Sequence, residues 1–274
     1  MKVINQMVHQ ASSQNLIIPG FNVFGHEEAL AVVKAAERAA SPALLMVNRS
    51  ARQAMAIRHW GALLSSIAKT AEVPIGVHLD HCTDLDLIQE AIETGFTSVM
   101  YDGSKLSLEE NIKNSRLVVE KAAAWDVAVE GEVGSVPYDD LGEKLGDYTT
   151  PEEANGIAEG TGLDWLAISV GNIHRLTDRK AVIDFQALHA IEKATKIPLV
   201  IHGASGIGEE DIEKLKKSRV AKVNIGTALR QVFGQSLRRE VLSSPEVFDR
   251  ITLLKNPMKF YEEKAYEMIC QLKK

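Results

Sequence analysis

Three of the eight histidines, His81, His174 and His202, stand at or just beyond the ends of three separate short apolar runs. If those runs are strands of one parallel sheet, the three imidazoles meet at one rim. Three imidazoles converging on a point make an open tetrahedral site for Zn2+, with the fourth position left for substrate. Asp80 immediately precedes His81. A carboxylate beside a divalent ion, but not bound to it, can exchange a proton with a group that the ion polarises. Glu132 and Asp102 close two further apolar runs and suit a second or displaced metal position, or hydrogen bonds that steady the ligands. His78 shares a strand face with Asp80 and reads as a supporting hydrogen-bonder. Cys82, next to His81, suits packing better than ligation.

Two later runs end in His202-Gly203-Ala204-Ser205-Gly206 and Asn224-Ile225-Gly226-Thr227. Small residues followed by helix starts expose backbone N–H groups, which is how backbone holds a phosphate.

Positioning these groups falls to apolar runs at 16–21, 43–47, 75–80, 98–102, 127–132, 165–170, 199–202 and 221–225. Between them lie helix-like stretches such as 27–40, 84–94, 108–125, 185–194 and 209–217. Eight strands alternating with helices over about 250 residues predict an α/β fold, a (β/α)8 TIM barrel, whose active site lies at the C-terminal ends of the strands. Its loops after strands 7 and 8 are the usual phosphate cradle. A doubly wound open sheet is the competitor, but Pro19-Gly20-Phe21-Asn22-Val23 is not the Gly-rich fingerprint that fold carries after its first strand. The whole chain reads as one domain, with a barrel core at about 16–235 and a helical tail at 243–274 beyond it. Segment 135–150 is polar, Gly-containing and too long for an ordinary loop between strand and helix; it reads as a mobile loop.

Composition narrows the class. The 274 residues are 45% hydrophobic and carry a net charge of -6, so no basic field advertises nucleic acid or an anionic membrane. The two cysteines, Cys82 and Cys270, form neither a disulfide framework nor a zinc-finger spacing. The first residues lack a secretory apolar core, and no run reaches the roughly 18 apolar residues of a membrane span. The expectation is a cytoplasmic protein whose partner is a small molecule.

Taken in order, several segments are similar to the motif series of the class II, metal-dependent ketose-phosphate aldolases, which include fructose-bisphosphate and tagatose-bisphosphate aldolases. They are His78-Leu79-Asp80-His81, Asp102-Gly103-Ser104, Val129-Glu130-Gly131-Glu132-Val133-Gly134, Gly171-Asn172-Ile173-His174, Pro198-Leu199-Val200-Ile201-His202-Gly203-Ala204-Ser205-Gly206 and Lys222-Val223-Asn224-Ile225-Gly226-Thr227. The resemblance runs from Phe21 to Thr227. It implies one zinc per subunit on His81, His174 and His202, polarising the carbonyl of dihydroxyacetone phosphate. It gives Asp80 the proton on the hydroxyl of the bond being cleaved, and Asn224 the orientation of the enediolate. Glu132 matches a carboxylate of an alternative metal position, with Asp102 near it. Gly203, Ser205 and Thr227 match phosphate contacts, Gly226 lies in the same cradle, and Asn22 matches a substrate-facing asparagine. A homodimer or homotetramer is implied as well.

Three segments depart from the family pattern. Arg175 stands where the family has a glycine after its second zinc histidine, beside the phosphate and a monovalent cation. The loop that usually carries Gly-Gly and a catalytic glutamate reads Ser135-Val136-Pro137-Tyr138-Asp139-Asp140, leaving Asp139 or Asp140 as stand-ins. The loop after the second strand is Asn48-Arg49-Ser50-Ala51-Arg52-Gln53. Arg49, Arg52 and Arg175 therefore gather cations near the mouth, and guanidinium forks suit phosphate, carboxylate or sulfonate. The expectation is an aldolase for a ketose 1-phosphate whose distal end carries an anion, such as 6-deoxy-6-sulfofructose 1-phosphate. A fructose- or tagatose-1,6-bisphosphate aldolase is the nearest alternative. A zinc hydrolase and a non-catalytic sugar-phosphate binding protein are the alternatives of another class. A Schiff-base aldolase is disfavoured, because the strand ends show histidines and acids rather than a lysine.

Overall fold

The computed structural model describes residues 3–14, 16–139, 146–176 and 181–273. Eight parallel strands close into a barrel in sequence order: β1 Ile18–Asn22, β2 Ala43–Val47, β3 Ile75–Cys82, β4 Ser98–Tyr101, β5 Ala128–Val133, β6 Trp165–Ile168, β7 Leu199–Ile201 and β8 Val220–Ile225. β8 closes on β1, with Gly20 opposite Asn224. The fold is the (β/α)8 barrel that the alternation of runs predicts.

Successive side chains alternate between faces, and here both faces are buried. Leu45, Val47, Val77, Leu79, Val129, Leu166, Ile168, Val223 and Ile225 belong to the core between strands and helices. Leu44, Met46, Met100, Trp165, Ala167 and Val200 belong to a separate apolar cluster. That cluster has a lid that the sequence reading missed: α1, Val3–Gln14, contributes Ile4, Val8 and Ala11 to it. Asn5 on α1 also accepts a hydrogen bond from Trp165 Nε1 at 3.0 Å. At this end the barrel is an apolar core, and each large side chain buried there contributes roughly 1.5–3 kcal/mol.

The outer layer is α2 His26–Arg38, α3 Arg49–Ala54, α4 Ile57–Lys69, α5 Leu85–Glu93, α6 Leu108–Ala123, α7 Pro151–Thr161, α8 Phe185–Ala194, α9 Glu209–Leu215, α10 Thr227–Ser243 and α11 Arg250–Leu272. Caps mark several starts. Asp84 and Asp184 accept from backbone N–H groups of the first turns of α5 and α8, and Thr150 and Glu153 form a reciprocal capping box at α7. The C-terminal helix α11 does more than extend the chain. It lies against α2, α10 and β1 and buries Tyr261, Ala265, Ile269 and Leu272.

The long segment after β5 is held at both of its described ends. Ser135 N–H donates to Asp147 O at 2.8 Å, and Thr149 Oγ1 donates to Val133 O at 2.6 Å. Residues 140–145, including Asp140, lie outside the described residues.

Candidate active site

Above the apolar cluster the barrel interior turns polar and charged. His78, Asp80, Glu130, Glu132, His202, Lys222 and Asn224 are all buried. In a regular strand Asp80 and His81 would face opposite ways. The β3–β4 register shifts between Leu79 and Cys82, and His81 takes the left-handed conformation with φ of +47°. Such a bulge re-aims a side chain at the cost of local strain, and it is how two neighbouring residues both serve the site. Arg52 braces this turn: Nη2 donates to His81 O at 2.9 Å and Nη1 to Cys82 Sγ at 3.0 Å.

The rings of His81, His174 and His202 gather closely, with centroid separations of 5.0 Å (His81–His174), 4.6 Å (His81–His202) and 5.7 Å (His174–His202). One donor atom from each lies within 4.8 Å of the others. Three buried ring nitrogens, His81 Nε2, His174 Nε2 and His202 Nδ1, make no hydrogen bond among the described residues. Buried polar atoms normally find partners, so three orphans converging on one point fit a metal ion. Each ligand is also held from behind. His81 Nδ1 bonds Asp102 Oδ2 at 2.8 Å, and His202 Nε2 bonds Glu130 Oε1 at 2.9 Å. The Tyr138 ring stacks on His174 at 4.4 Å, while His174 N–H donates to Pro137 O at 2.9 Å. Asn172 Nδ2 donates to His202 O at 3.1 Å, tying the ends of β6 and β7 together.

His81, Asp102 and Glu132 form a second set able to hold an ion. Glu132 Oε2, itself without a hydrogen bond, lies 3.5 Å from His81 Nδ1 and 3.7 Å from His202 Nδ1. Electrostatics follow from burial and these neighbours. Burial pushes the His174 and His202 imidazoles well below their usual value, helped by the charge on His81. Burial alone would lower His81 too, but Asp80, the hydrogen bond to Asp102 and Glu132 push it up to about 10. Burial and the Asp102 charge hold Glu132 well above the carboxylate range. For Asp80, burial is outweighed by cationic neighbours led by His81, and by the Asn22 hydrogen bond. Its carboxyl is held below its usual value and stays ionised.

Asp80 receives two amide donors, Asn22 Nδ2 at 2.8 Å and Asn224 Nδ2 at 3.0 Å. The cavity above it is lined by Asn22, Asp80, His81, His174 and Asn224, by the loop residues Gly203, Ser205, Gly226 and Thr227, and by Asn48, Arg49, Ser50, Tyr138, Arg175 and Arg230. Gly203 has φ of +71°, and a Cβ there would come within 2.2 Å of Ile173 O. The tight turn after β7 therefore needs glycine. Ser205 Oγ accepts from Ala228 N–H at 3.3 Å, joining the two small-residue loops.

Most of the residues singled out by sequence meet here, with exceptions. Arg52 is turned to the β3 turn and does not line the cavity; a charge on a mouth loop reveals nothing of its direction. Asp139 is not a lining residue either. Its backbone N–H is engaged with His174 O at 3.1 Å, and the residue of that loop facing the cavity is Tyr138. Burial and the nearby charges of Asp80, Glu132 and Asp102 push the Tyr138 phenol up, so it remains a hydrogen-bond donor. Arg230, one turn into α10, is a lining cation the sequence reading missed; its place after Gly226-Thr227 was the available signal. Also missed was a fully buried lysine: Lys222 Nζ donates to Glu130 Oε2 at 2.8 Å and to Asn224 Oδ1 at 2.6 Å. An ammonium so paired is no nucleophile, which agrees with the argument against a Schiff base.

A family model described as fructose-bisphosphate aldolase class-II matches residues 2–274. The chain belongs to that family. It is an aldolase, a lyase that cleaves ketose phosphates in a metal-dependent reaction, and this sets aside the hydrolase and binding-protein alternatives. A sulfofructosephosphate aldolase from Alkalicoccus urumqiensis is 32% identical over 246 residues, covering 88% of this chain and 86% of that protein. The crystal structure of the YdjI aldolase from Escherichia coli K12 superposes with a TM-score of 0.86 at 29% identity, covering 99% of this chain and 97% of that one. The fructose-bisphosphate aldolase of Campylobacter jejuni shares the fold, with a TM-score of 0.83 at 24% identity over 98% of this chain and 93% of that one. No described helix of this class II aldolase is long and apolar enough to cross a membrane.

Proposed function

We propose that this class II aldolase is a cytoplasmic zinc enzyme for a sulfonated ketose 1-phosphate, 6-deoxy-6-sulfofructose 1-phosphate or a close analogue. It cleaves that substrate reversibly to dihydroxyacetone phosphate and a sulfonate-bearing aldehyde. The observation that carries the reading is the set of arginines on the cavity wall, Arg49, Arg175 and Arg230. The 32% identity to a sulfofructosephosphate aldolase supports it.

The residues divide the work as follows. Gly203, Ser205, Gly226 and Thr227 hold the phosphate of the dihydroxyacetone half through backbone N–H groups and hydroxyls. The ionised Asp80, steadied by Asn22 and Asn224, takes the proton from the hydroxyl of the carbon that becomes the aldehyde. The carbon–carbon bond then breaks, and its electron pair stays on the dihydroxyacetone phosphate half as an enediolate, aligned by the Asn224 amide. Zn2+ held by His81, His174 and His202 supplies Lewis acidity toward the substrate carbonyl. Asp102 steadies His81 through its hydrogen bond, and His81, Asp102 and Glu132 together would offer a displaced position for the ion. The remaining proton transfer belongs to the loop of Asp139 and Asp140, with Tyr138 as a donor on the cavity wall. Arg49, Arg175 and Arg230 take the distal sulfonate and the phosphate; Arg52 serves by bracing His81.

The test is a cleavage panel of ketose 1-phosphates differing only in the distal group, sulfonate, phosphate, carboxylate or hydroxyl, each run with and without chelator. The sulfonate substrate should be cleaved best, and preference for the neutral one would overturn the assignment. In the same panel Arg175→Gly should narrow the sulfonate-over-hydroxyl preference by about 10-fold or more, the worth of a charged hydrogen bond. Arg175 has φ of +55°, so glycine should also raise stability by about 1 kcal/mol, read by denaturant unfolding. Undiminished discrimination would leave the arginine outside the specificity site.

The proposed assembly is a homodimer or homotetramer. Val241, Leu242, Phe248, Ile251 and Phe260, from the end of α10 to α11, are all exposed, and large apolar side chains left in water along one stretch of chain favour burial against a second copy. Light scattering should give at least twice the 30.0 kDa chain mass; a monomer across the concentration range would exclude it.

A further inference from the structure

Lys222 and Glu130 form an ion pair with no exposure on either side chain. Desolvating two charges is expensive, and a buried pair is commonly no better for stability than apolar residues of the same size. What distinguishes this pair is where its remaining hydrogen bonds go. Glu130 Oε1 lies 2.9 Å from Nε2 of His202, one of the three clustered imidazoles. Lys222 Nζ is 2.6 Å from Asn224 Oδ1, and Asn224 Nδ2 reaches Asp80 Oδ1 at 3.0 Å. One continuous chain, His202–Glu130–Lys222–Asn224–Asp80, thus runs from a metal-binding ring to the proton-transfer carboxylate.

Each link in that chain has a fixed sense. An ammonium only donates, so it requires the oxygen of the Asn224 amide to face it. The amide NH2 must then face Asp80, which only accepts. An ionised Glu130 likewise requires a proton on Nε2 of His202, and this leaves the Nδ1 lone pair, the orphan atom of the cluster, as the one free for a metal. We propose that Lys222 and Glu130 are positioning residues that set the His202 tautomer and the Asn224 amide orientation together. The pair locks the metal site and the enediolate-orienting amide into one mutually consistent state. This rests on the aldolase reading for its catalytic half and on the imidazole cluster alone for its metal half.

Two measurements separate those halves. Glu130→Gln offers His202 either an acceptor or a donor, so the tautomer is no longer imposed. Its zinc affinity, measured on chelator-stripped protein by competition with a chromophoric chelator, should fall about 10–100-fold. Lys222→Met keeps the Glu130 acceptor on His202, so its zinc affinity should fall less than in Glu130→Gln, while kcat for cleavage falls about 10–100-fold with KM little altered, because Asn224 loses the group that orients it. If either single variant fails to fold, the double variant Lys222→Met with Glu130→Gln leaves no unpaired charge and should show both losses. Wild-type zinc affinity in Glu130→Gln, or wild-type kcat in Lys222→Met or in the double variant, would reduce the pair to a structural element and overturn the proposal. Should the wild-type enzyme cleave none of the ketose 1-phosphates, the functional reading fails by itself. The zinc titration would still decide the role of Glu130.

Discussion

Replacing Asp80 with asparagine will lower kcat for ketose 1-phosphate cleavage by about 10²–10⁴-fold, the usual worth of a positioned acid–base group, while the protein folds and still binds zinc. Asp80 is buried, ionised and reached by Asn22 and Asn224 from two sides. Asparagine keeps the volume and loses the capacity to take a proton. It also offers one acceptor where the carboxylate offered two. The Asn224 amide is held by Lys222, so Asn22 is the partner that must turn. A modest loss of substrate affinity should accompany the larger loss of rate. Single-turnover cleavage, coupled to reduction of the dihydroxyacetone phosphate released, measures both effects. Rates within tenfold of wild type would remove Asp80 from the proton transfer.

The rim of the site could be read in advance, and its floor could not. Histidines and acids at strand ends follow from the two-residue period and the shared polarity of parallel strands, so His81, His174, His202, Asp80 and Glu132 were visible as a group. The left-handed turn at His81 leaves no mark in composition, since it depends on how β3 registers against β4. Glu130 and Lys222 sit mid-strand among apolar residues, where a charge looks like an error in the pattern until barrel closure brings β5 and β8 within reach of each other across the interior. Arg52 and Arg230 exchange roles for a similar reason. Sequence locates a cation on a loop or a first helical turn, whereas its direction is settled by what accepts its hydrogen bonds. The helix α1 was overlooked because its apolar face is narrow, and its partner, the barrel bottom, exists only after closure.

Stripping the metal will abolish cleavage, and added Zn2+ will restore it, with a dependence on pH that His81 sets. Without the ion, His81 Nε2, His174 Nε2 and His202 Nδ1 are buried with no hydrogen bond among the described residues, each at a cost of about 1–3 kcal/mol. Zinc at a thousandfold over its dissociation constant should stabilise the fold by about 4 kcal/mol, visible as a raised melting temperature. His174 and His202 are held neutral by burial and accept a metal as they stand. His81, pushed up to about 10, carries a proton at neutral pH that the ion must displace. Zinc affinity should therefore rise as pH rises toward that value, with about one proton released per ion. Calorimetry in buffers of different ionisation enthalpy counts that proton. Affinity independent of pH, or cleavage that survives complete chelation, would contradict the assignment. The acids that raise His81, namely Asp80, Asp102 and Glu132, are the ones that would balance a divalent charge. In the apo protein the histidine proton occupies an electrostatic place already shaped for the metal.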